Sequence, residues 1–180
     1  MKRLIVPLVA ALTLVVTGLG AASAAPGGAP HAAKPRIARP QTAVNVRVVS
    51  KLSNKCLTAL GSGDGAAVTQ TTCNGGAAQQ WSIDQTVPYG PIVNVGTGKC
   101  LDLWGNGSAD GQTVFTWTCY GAYSQQWRLN SKGGAYWELR PYYTDKCLDL
   151  QNNLTVDGAV VQQWGCNAGA NTNQTWYVGA

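Results

Sequence analysis

Three stretches of this chain carry one framework, and that internal repetition limits what the chain can fold into more tightly than any other property. Cys56, Cys100 and Cys147 each follow a Lys and precede a Leu. A second cysteine, Cys73, Cys119 or Cys166, comes 17 to 19 positions later. Gln-x-Trp then closes each unit, at Gln79/Trp81, Gln125/Trp127 and Gln174/Trp176. Self-similarity of this kind marks supersecondary units that cannot bury their apolar faces alone, so the three units must share one core.

Alignment on the first cysteine extends the repeat into columns. Val48, Ile92 and Leu139 form one, and Leu57, Leu101 and Leu148 another. Val68, Val114 and Val161 each stand five before the second cysteine, and Ile83, Leu129 and Val178 two after the tryptophan. The local spacing of two, the β-branched residues and the Asp-Gly turns at Asp64, Asp110 and Asp157 predict an all-β chain of about four short strands per unit, about twelve in all. A propeller blade has a similar length and strand number, but three blades fall below the usual minimum of about four. The three Gln-x-Trp tryptophans are expected in the common core.

The N-terminus reads differently. Lys2 and Arg3, an apolar run from Leu4 to about Gly18, and Ala22-Ser23-Ala24 follow the order of a secretory signal peptide, residues 1–24, which predicts a secreted, extracellular protein. A retained anchor is the weaker alternative, because no basic stop-transfer cluster flanks the run, and no later stretch is apolar enough to span a membrane. Residues 25–41 are rich in Ala, Pro and Gly without apolar periodicity, and read as a disordered leader. His31, the only histidine, lies in that leader, which argues against histidine-dependent catalysis and histidine-rich metal sites. Residues 42–180 remain as one domain, with repeats at about 44–84, 85–130 and 131–180.

The formal net charge of +5 misleads. Lys2, Arg3, Lys34, Arg36 and Arg39 precede the domain, and the other eight basic residues are balanced by all eight acidic ones. A neutral domain lacks the basic face that nucleic acid requires. Six cysteines on an exported chain imply disulfides, and of the 15 possible pairings the repeat selects Cys56 with Cys73, Cys100 with Cys119, and Cys147 with Cys166. Zinc ligation is disfavoured, since there is neither a Cys-x-x-Cys nor a nearby His.

The recurring [Ser/Thr]-x-Lys-Cys-Leu-[Asp/Thr], Asp-Gly, second Cys and Gln-x-Trp resemble the ricin B-type lectins, also called family 13 carbohydrate-binding modules, over about Val44 to Ala180. The resemblance implies a β-trefoil with one possible sugar pocket in each unit. A pocket of that family needs a carboxylate acceptor, an aromatic plate beneath the C–H face of the sugar, and amides that orient the ring. The third unit has the full set in Asp149, Gln162, Trp164, Asn173 and Gln174. The second keeps Asp102, Trp117 and Gln125, but has Ser124 in place of Asn and Phe115 in place of a polar residue. Phe115 there is either an apolar wall or turned away. Trp104, two past Asp102, is either a further exposed platform or a loop anchor. The first unit has Thr58, Thr71 and Ala78 at the key positions, so no pocket is expected there, and Gln79 is expected to satisfy backbone groups where neighbouring units meet.

The expected function is that of a monomeric secreted carbohydrate-binding protein, without cofactor or catalysis, recognising galactose- or xylan-type glycans through the second and third units. A glycosidase needs two carboxyl groups flanking one bond, whereas these aspartates lie in turns or singly in each pocket. The alternative is a trefoil that inhibits a protease or engages a receptor through a surface loop. It leaves the joint occurrence of Asp149, Trp164, Asn173 and Gln174 unaccounted for.

Overall fold

The computed structural model describes residues 43–167 and 172–180; the expected signal peptide and leader lie outside them. The described residues form twelve strands, in three groups of four. The first group is β1 (Val44–Ser50), β2 (Cys56–Ala59), β3 (Ala66–Thr71) and β4 (Gln80–Ile83). The second is β5 (Ile92–Asn94), β6 (Cys100–Leu103), β7 (Gln112–Trp117) and β8 (Trp127–Ser131). The third is β9 (Tyr136–Pro141), β10 (Cys147–Leu150), β11 (Val161–Trp164) and β12 (Trp176–Gly179). Helical structure among the described residues is limited to five single 3-10 turns.

All pairing is antiparallel, and the outer strands of the groups close on themselves. β1 pairs with β4 and β12, β4 with β5, and β9 with β8 and β12. A bridge from Gly90 to Trp127 joins the remaining gap, completing a six-stranded barrel. The inner strands form three hairpins, β2–β3, β6–β7 and β10–β11. These meet at one end through β3–β7, β7–β11 and a bridge from Thr69 to Val160. A barrel capped by a triangle of hairpins is a β-trefoil. Closure leaves no long open sheet edge to be covered.

The core is where the alignment columns converge. Val48, Ile92, Leu139, Leu57, Leu101, Leu148, Val68, Val114 and Val161 are all buried. Trp81, Trp127 and Trp176 are buried with them, and each indole Nε1 donates to the carbonyl of its own unit's Cys-Leu leucine, Leu57, Leu101 or Leu148, at 2.9, 2.9 and 3.0 Å. The tryptophan therefore buries a large ring without leaving its one polar atom unpaired, and ties the end of each unit to its first hairpin strand. The three disulfides have the pairing read from the repeat. Each closes a loop worth about 3 kcal/mol in the chain-entropy model.

The Asp-Gly turns join the units. Each places a glycine in the left-handed region, at Gly65 (φ 81°), Gly111 (φ 84°) and Gly158 (φ 82°), where a side chain would be strained. The preceding aspartate reaches across a unit boundary. Asp64 accepts from the Thr118 N–H (2.7 Å) and Lys99 (2.6 Å), Asp110 from the Gly165 N–H (2.9 Å) and Lys146, and Asp157 from the Thr72 N–H (2.9 Å) and Lys55 (2.6 Å). The clamps run first unit to second, second to third, and third back to first.

Candidate functional site

In the third unit, β10 and β11 pair so that Asp149 stands opposite Gln162. The 3-10 turn Thr172–Gln174 brings Asn173 and Gln174 up beneath the same carboxylate. Gln162 Nε2 donates to Oδ1 of Asp149 at 3.0 Å, while Asn173 Nδ2 (2.8 Å) and Gln174 Nε2 (2.9 Å) donate to Oδ2. Asp149 is only 3% exposed. Burial raises its pKa above the ordinary aspartate range; the Gln162, Gln174 and Asn173 amides oppose that rise and the nearby Asp110 carboxylate adds to it.

An open cavity of about 200 Å³ lies over this cluster, lined by Asp149, Gln162, Trp164, Asn173, Asn152, Asn153 and Asn167. Trp164 is 42% exposed, and its ring rests on Gly111 of the preceding unit, where a β-carbon would stand 3.8 Å from Cζ3. The cavity's lining thus belongs wholly to the third unit, while its tryptophan is seated on the second. Oδ1 of Asn173 is buried and has no hydrogen-bond partner among the described residues. Such an orphan acceptor costs free energy unless something donates to it. Gln174 lines no part of the cavity; besides Asp149 it holds the Gly165 carbonyl (3.0 Å) and the Asn167 N–H (3.0 Å), which makes it a bracing residue.

Three lining residues were not singled out from the sequence. Asn152 and Asn153 sit at φ 55° and 56° in the turn after β10, a conformation that asparagine tolerates better than most residues. Asn167 follows the second cysteine. Its column, Asn74, Tyr120 and Asn167, donates a backbone N–H to the Gln-x-Trp glutamine in every unit, at 2.7, 3.0 and 3.0 Å. Extending the alignment by one residue would have exposed that column.

The second unit departs from the third. Gln125 Nε2 donates to Asp102 at 2.9 Å, as Gln174 does to Asp149. Phe115 occupies the place of Gln162 opposite the carboxylate and donates nothing. Ser124 is completely buried, and its Oγ has no partner in good hydrogen-bond geometry, so the hydroxyl does not replace the missing asparagine amide. Tyr120 stands where the third unit has Asn167. Burial is the main cause of its raised pKa; contact with Ser124 opposes the rise and the Asp102 carboxylate adds to it, so the phenol lies against both. Phe115 forms a wall, in edge contact with Trp104 (5.6 Å) and Trp117 (5.9 Å). Trp104 is 61% exposed, a platform rather than a buried loop anchor.

In the first unit the polar groups satisfy one another. Thr58 and Thr71 share a 2.8 Å hydrogen bond, and Gln79 Nε2 donates to Thr71 (2.8 Å) and the Thr72 carbonyl (2.9 Å). The expectation that Gln79 acts where units meet is corrected: every bond it makes is inside its own unit, because the 3-10 turn Ala77–Gln79 points it at its own hairpin. Glutamines that do cross boundaries include Gln70, bonded to the Leu154 and Val156 carbonyls, and Gln163, bonded to those of Gly107 and Ala109.

Other chemistry finds little support. Glu138, Cys147 and Cys166 lie close together, but both cysteines are in a disulfide. Glu138 is engaged by Lys132 (2.8 Å) and Arg140 (2.6 Å). Among the described residues no helix is long and apolar enough to cross a membrane.

A cavity lined by a half-exposed tryptophan, a carboxylate and amides on a trefoil of three repeated units places the molecule in the class of lectin-type folds. Comparison with known proteins makes this specific. The chain belongs to the family described as ricin-type beta-trefoil lectin domain-like, whose profile matches residues 36–117, 87–164 and 125–180. A designed 3-fold symmetric protein, ThreeFoil, is 34% identical with a TM-score of 0.71, over 76% of this chain and 98% of that one. An exo-beta-1,3-galactanase from Clostridium thermocellum is 32% identical with a TM-score of 0.71; 78% of this chain is covered, but only 30% of the galactanase. The Macrolepiota procera ricin B-like lectin, solved in complex with lactose, shares the fold at 18% identity and TM-score 0.65, over 79% of this chain and 99% of that one. A search of curated proteins by sequence returned no match.

Proposed function

We propose that this chain is a secreted, non-catalytic lectin whose principal site is the cavity of the third unit, and that the ligand is a neutral glycan of galactose or xylan type. The observation that carries this reading is the gathering of Asp149, Gln162, Asn173 and the half-exposed Trp164 around one cavity. Asn173 Oδ1 has no partner among the described residues. Asp149 Oδ1 accepts one bond where a carboxylate oxygen has room for two. A carboxylate and amides beside a half-exposed indole suit the hydroxyls and the C–H face of a pyranose.

Catalysis is disfavoured on chemical grounds. The carboxylate whose field reaches Asp149 is Asp110, and its pKa is lowered by Lys146, then by the Gly165 N–H, with burial opposing. A carboxylate committed to such a clamp makes a poor general acid. The galactanase relative shares only the part of its length that this chain spans, so its hydrolytic activity does not carry over, but β-1,3-galactan is the first polymer to try.

A glycan array carrying galactosides, galactans and xylans is the test, with Asp149→Ala and Trp164→Ala as variants and Thr71→Ala as the matched control. Loss of charge-assisted hydrogen bonds or of the plate should each cost about 1.5 to 3 kcal/mol, at least tenfold in affinity. The control should bind as the parent does. Binding that survives the joint loss of Asp149 and Trp164 in a folded protein would exclude this cavity as the principal site.

A further inference from the structure

The second unit has lost two of the three amides that hold the carboxylate in the third, and has added two aromatics that the family motif does not contain, Trp104 and Phe115, to the motif's Trp117. Asp102 retains Gln125, while Phe115 stands opposite it in register. Trp104 lies in the 3-10 turn after β6, where the third unit has Gln151. Its ring meets Phe115 at 64°, and Trp117 meets the other side of the contact at 78°. An edge-to-face contact fixes both rings while covering one face of only one of them. Trp117 is seated over Gly65 of the first unit, 3.7 Å from the position of a β-carbon there. Gln112 Nε2 holds the Trp104 carbonyl at 2.5 Å, anchoring the turn that carries the exposed ring.

Resting on the lectin reading above, we propose that the second unit binds glycan in a different mode: Trp104 and Trp117, braced by Phe115, form a stacking subsite for the interior of a polysaccharide chain. The polar end of this unit is already engaged, with Gln125 on Asp102 and Tyr120 filling the position that is open asparagine in the third. Hydroxyl recognition there is curtailed, whereas the apolar face of a pyranose finds an exposed indole. Stacking with little hydrogen bonding tolerates either chain direction and any unit along the polymer, while the third-unit cavity, with its carboxylate and amides, orients one sugar. The neutral character of the domain and the continuity of this cluster with the equivalent of the third-unit site favour a glycan over a protein partner. Two unlike sites on one rigid trefoil raise the effective concentration of a polymer that spans them.

Affinity electrophoresis in gels carrying β-1,3-galactan or xylan tests the proposal, with the parent, Trp104→Ala, Trp104→Tyr, Asp149→Ala and the Trp104→Ala/Asp149→Ala double variant. Trp104 is largely exposed, so its replacement leaves the core intact. Trp104→Ala should weaken retention on the binding polymer roughly fivefold, Trp104→Tyr should restore most of it, and the double variant should be retained less than Asp149→Ala alone. Titration with free galactose or xylose should be the same for Trp104→Ala and the parent, because that signal reports the third unit. If Trp104→Ala is retained like the parent while Asp149→Ala is not, the stacking subsite is wrong and the lectin reading stands. If the parent is retained by neither gel and binds no arrayed glycan, both fall.

Discussion

Asp149 sits at the meeting point of two opposed demands. A sugar hydroxyl needs an ionised acceptor, yet the 3% exposure that shapes the cavity favours the neutral acid. Gln162, Asn173 and Gln174 resolve most of the conflict by donating to the carboxylate, but burial still leaves its pKa raised. The sign follows for both properties. Ionising a group whose folded pKa is raised lowers stability as pH climbs from its unfolded value through its folded one, so this carboxylate weakens the fold at neutral pH. Binding runs the other way: affinity should fall on acidification, beginning at a higher pH than an ordinary aspartate would require. Titrating the best arrayed sugar between about pH 3 and 7 checks this, and Asp149→Asn should bind weakly with a flat profile. Parent affinity that stays constant through that range would show that the ionised carboxylate is not the acceptor. Ser124 marks the contrast at the same scale. One shorter side chain leaves its hydroxyl buried and Asp102 with one amide fewer.

At the level of the hairpin, the Asp-Gly turn performs two tasks. Its aspartate clamps the next unit, and its glycine clears the space on which the next unit's aromatic plate rests, as Gly65 does for Trp117 and Gly111 for Trp164. Gly158 meets nothing, because the position facing it is Thr71 rather than an aromatic. A second boundary lock is incomplete. Gln70 and Gln163 each bind two carbonyls of the loop before a neighbouring Asp-Gly turn. The equivalent residue of the second unit is Thr116, whose Oγ1 is buried without a partner among the described residues. By the spacing of the other two locks, its targets would be the carbonyls of Gly61 and Gly63. Thr116→Gln should therefore raise stability by about 1 kcal/mol, the net worth of a buried hydrogen bond, read as an upward shift in a urea or thermal midpoint. A lower midpoint would mean that the added volume overpacks this end of the trefoil.

Over the whole molecule, the three clamps form a ring of carboxylates whose pKa values all lie below the ordinary aspartate range. A hydrogen bond from Lys99, Lys146 or Lys55 is the first cause in each, burial opposes it, and the threonine or glycine donors of the neighbouring unit add to the lowering. Depressed folded values contribute stability that is present above the unfolded aspartate value and lost as pH falls from there through the folded values. Denaturation midpoints should therefore drop modestly in acid, since these carboxylates are solvent-screened, and replacing Asp64, Asp110 and Asp157 together by Asn should lower the neutral-pH midpoint and flatten that slope. An unchanged slope would assign the acid sensitivity elsewhere. Much of this architecture was legible in the chain because repetition turns local chemistry into columns. The paired cysteines, the leucine and valine columns and the Gln-x-Trp tryptophans could each be read three times over, and a residue type that recurs in register must meet the same environment each time. The third-unit set of Asp149, Gln162, Trp164, Asn173 and Gln174 was likewise visible, since strand register places it on one hairpin and one turn. What broke the repetition could be read only from the folded molecule. Whether Phe115 walls or turns away, whether Trp104 is exposed, that Tyr120 lies against Asp102, and that Gln79 braces its own unit while Gln70 and Gln163 cross between units all depend on which side chains meet in space, within a unit or across its boundary. Those meetings join residues up to 86 positions apart, and no periodicity along the chain encodes them, because they are set by the closure of three hairpins around a common axis.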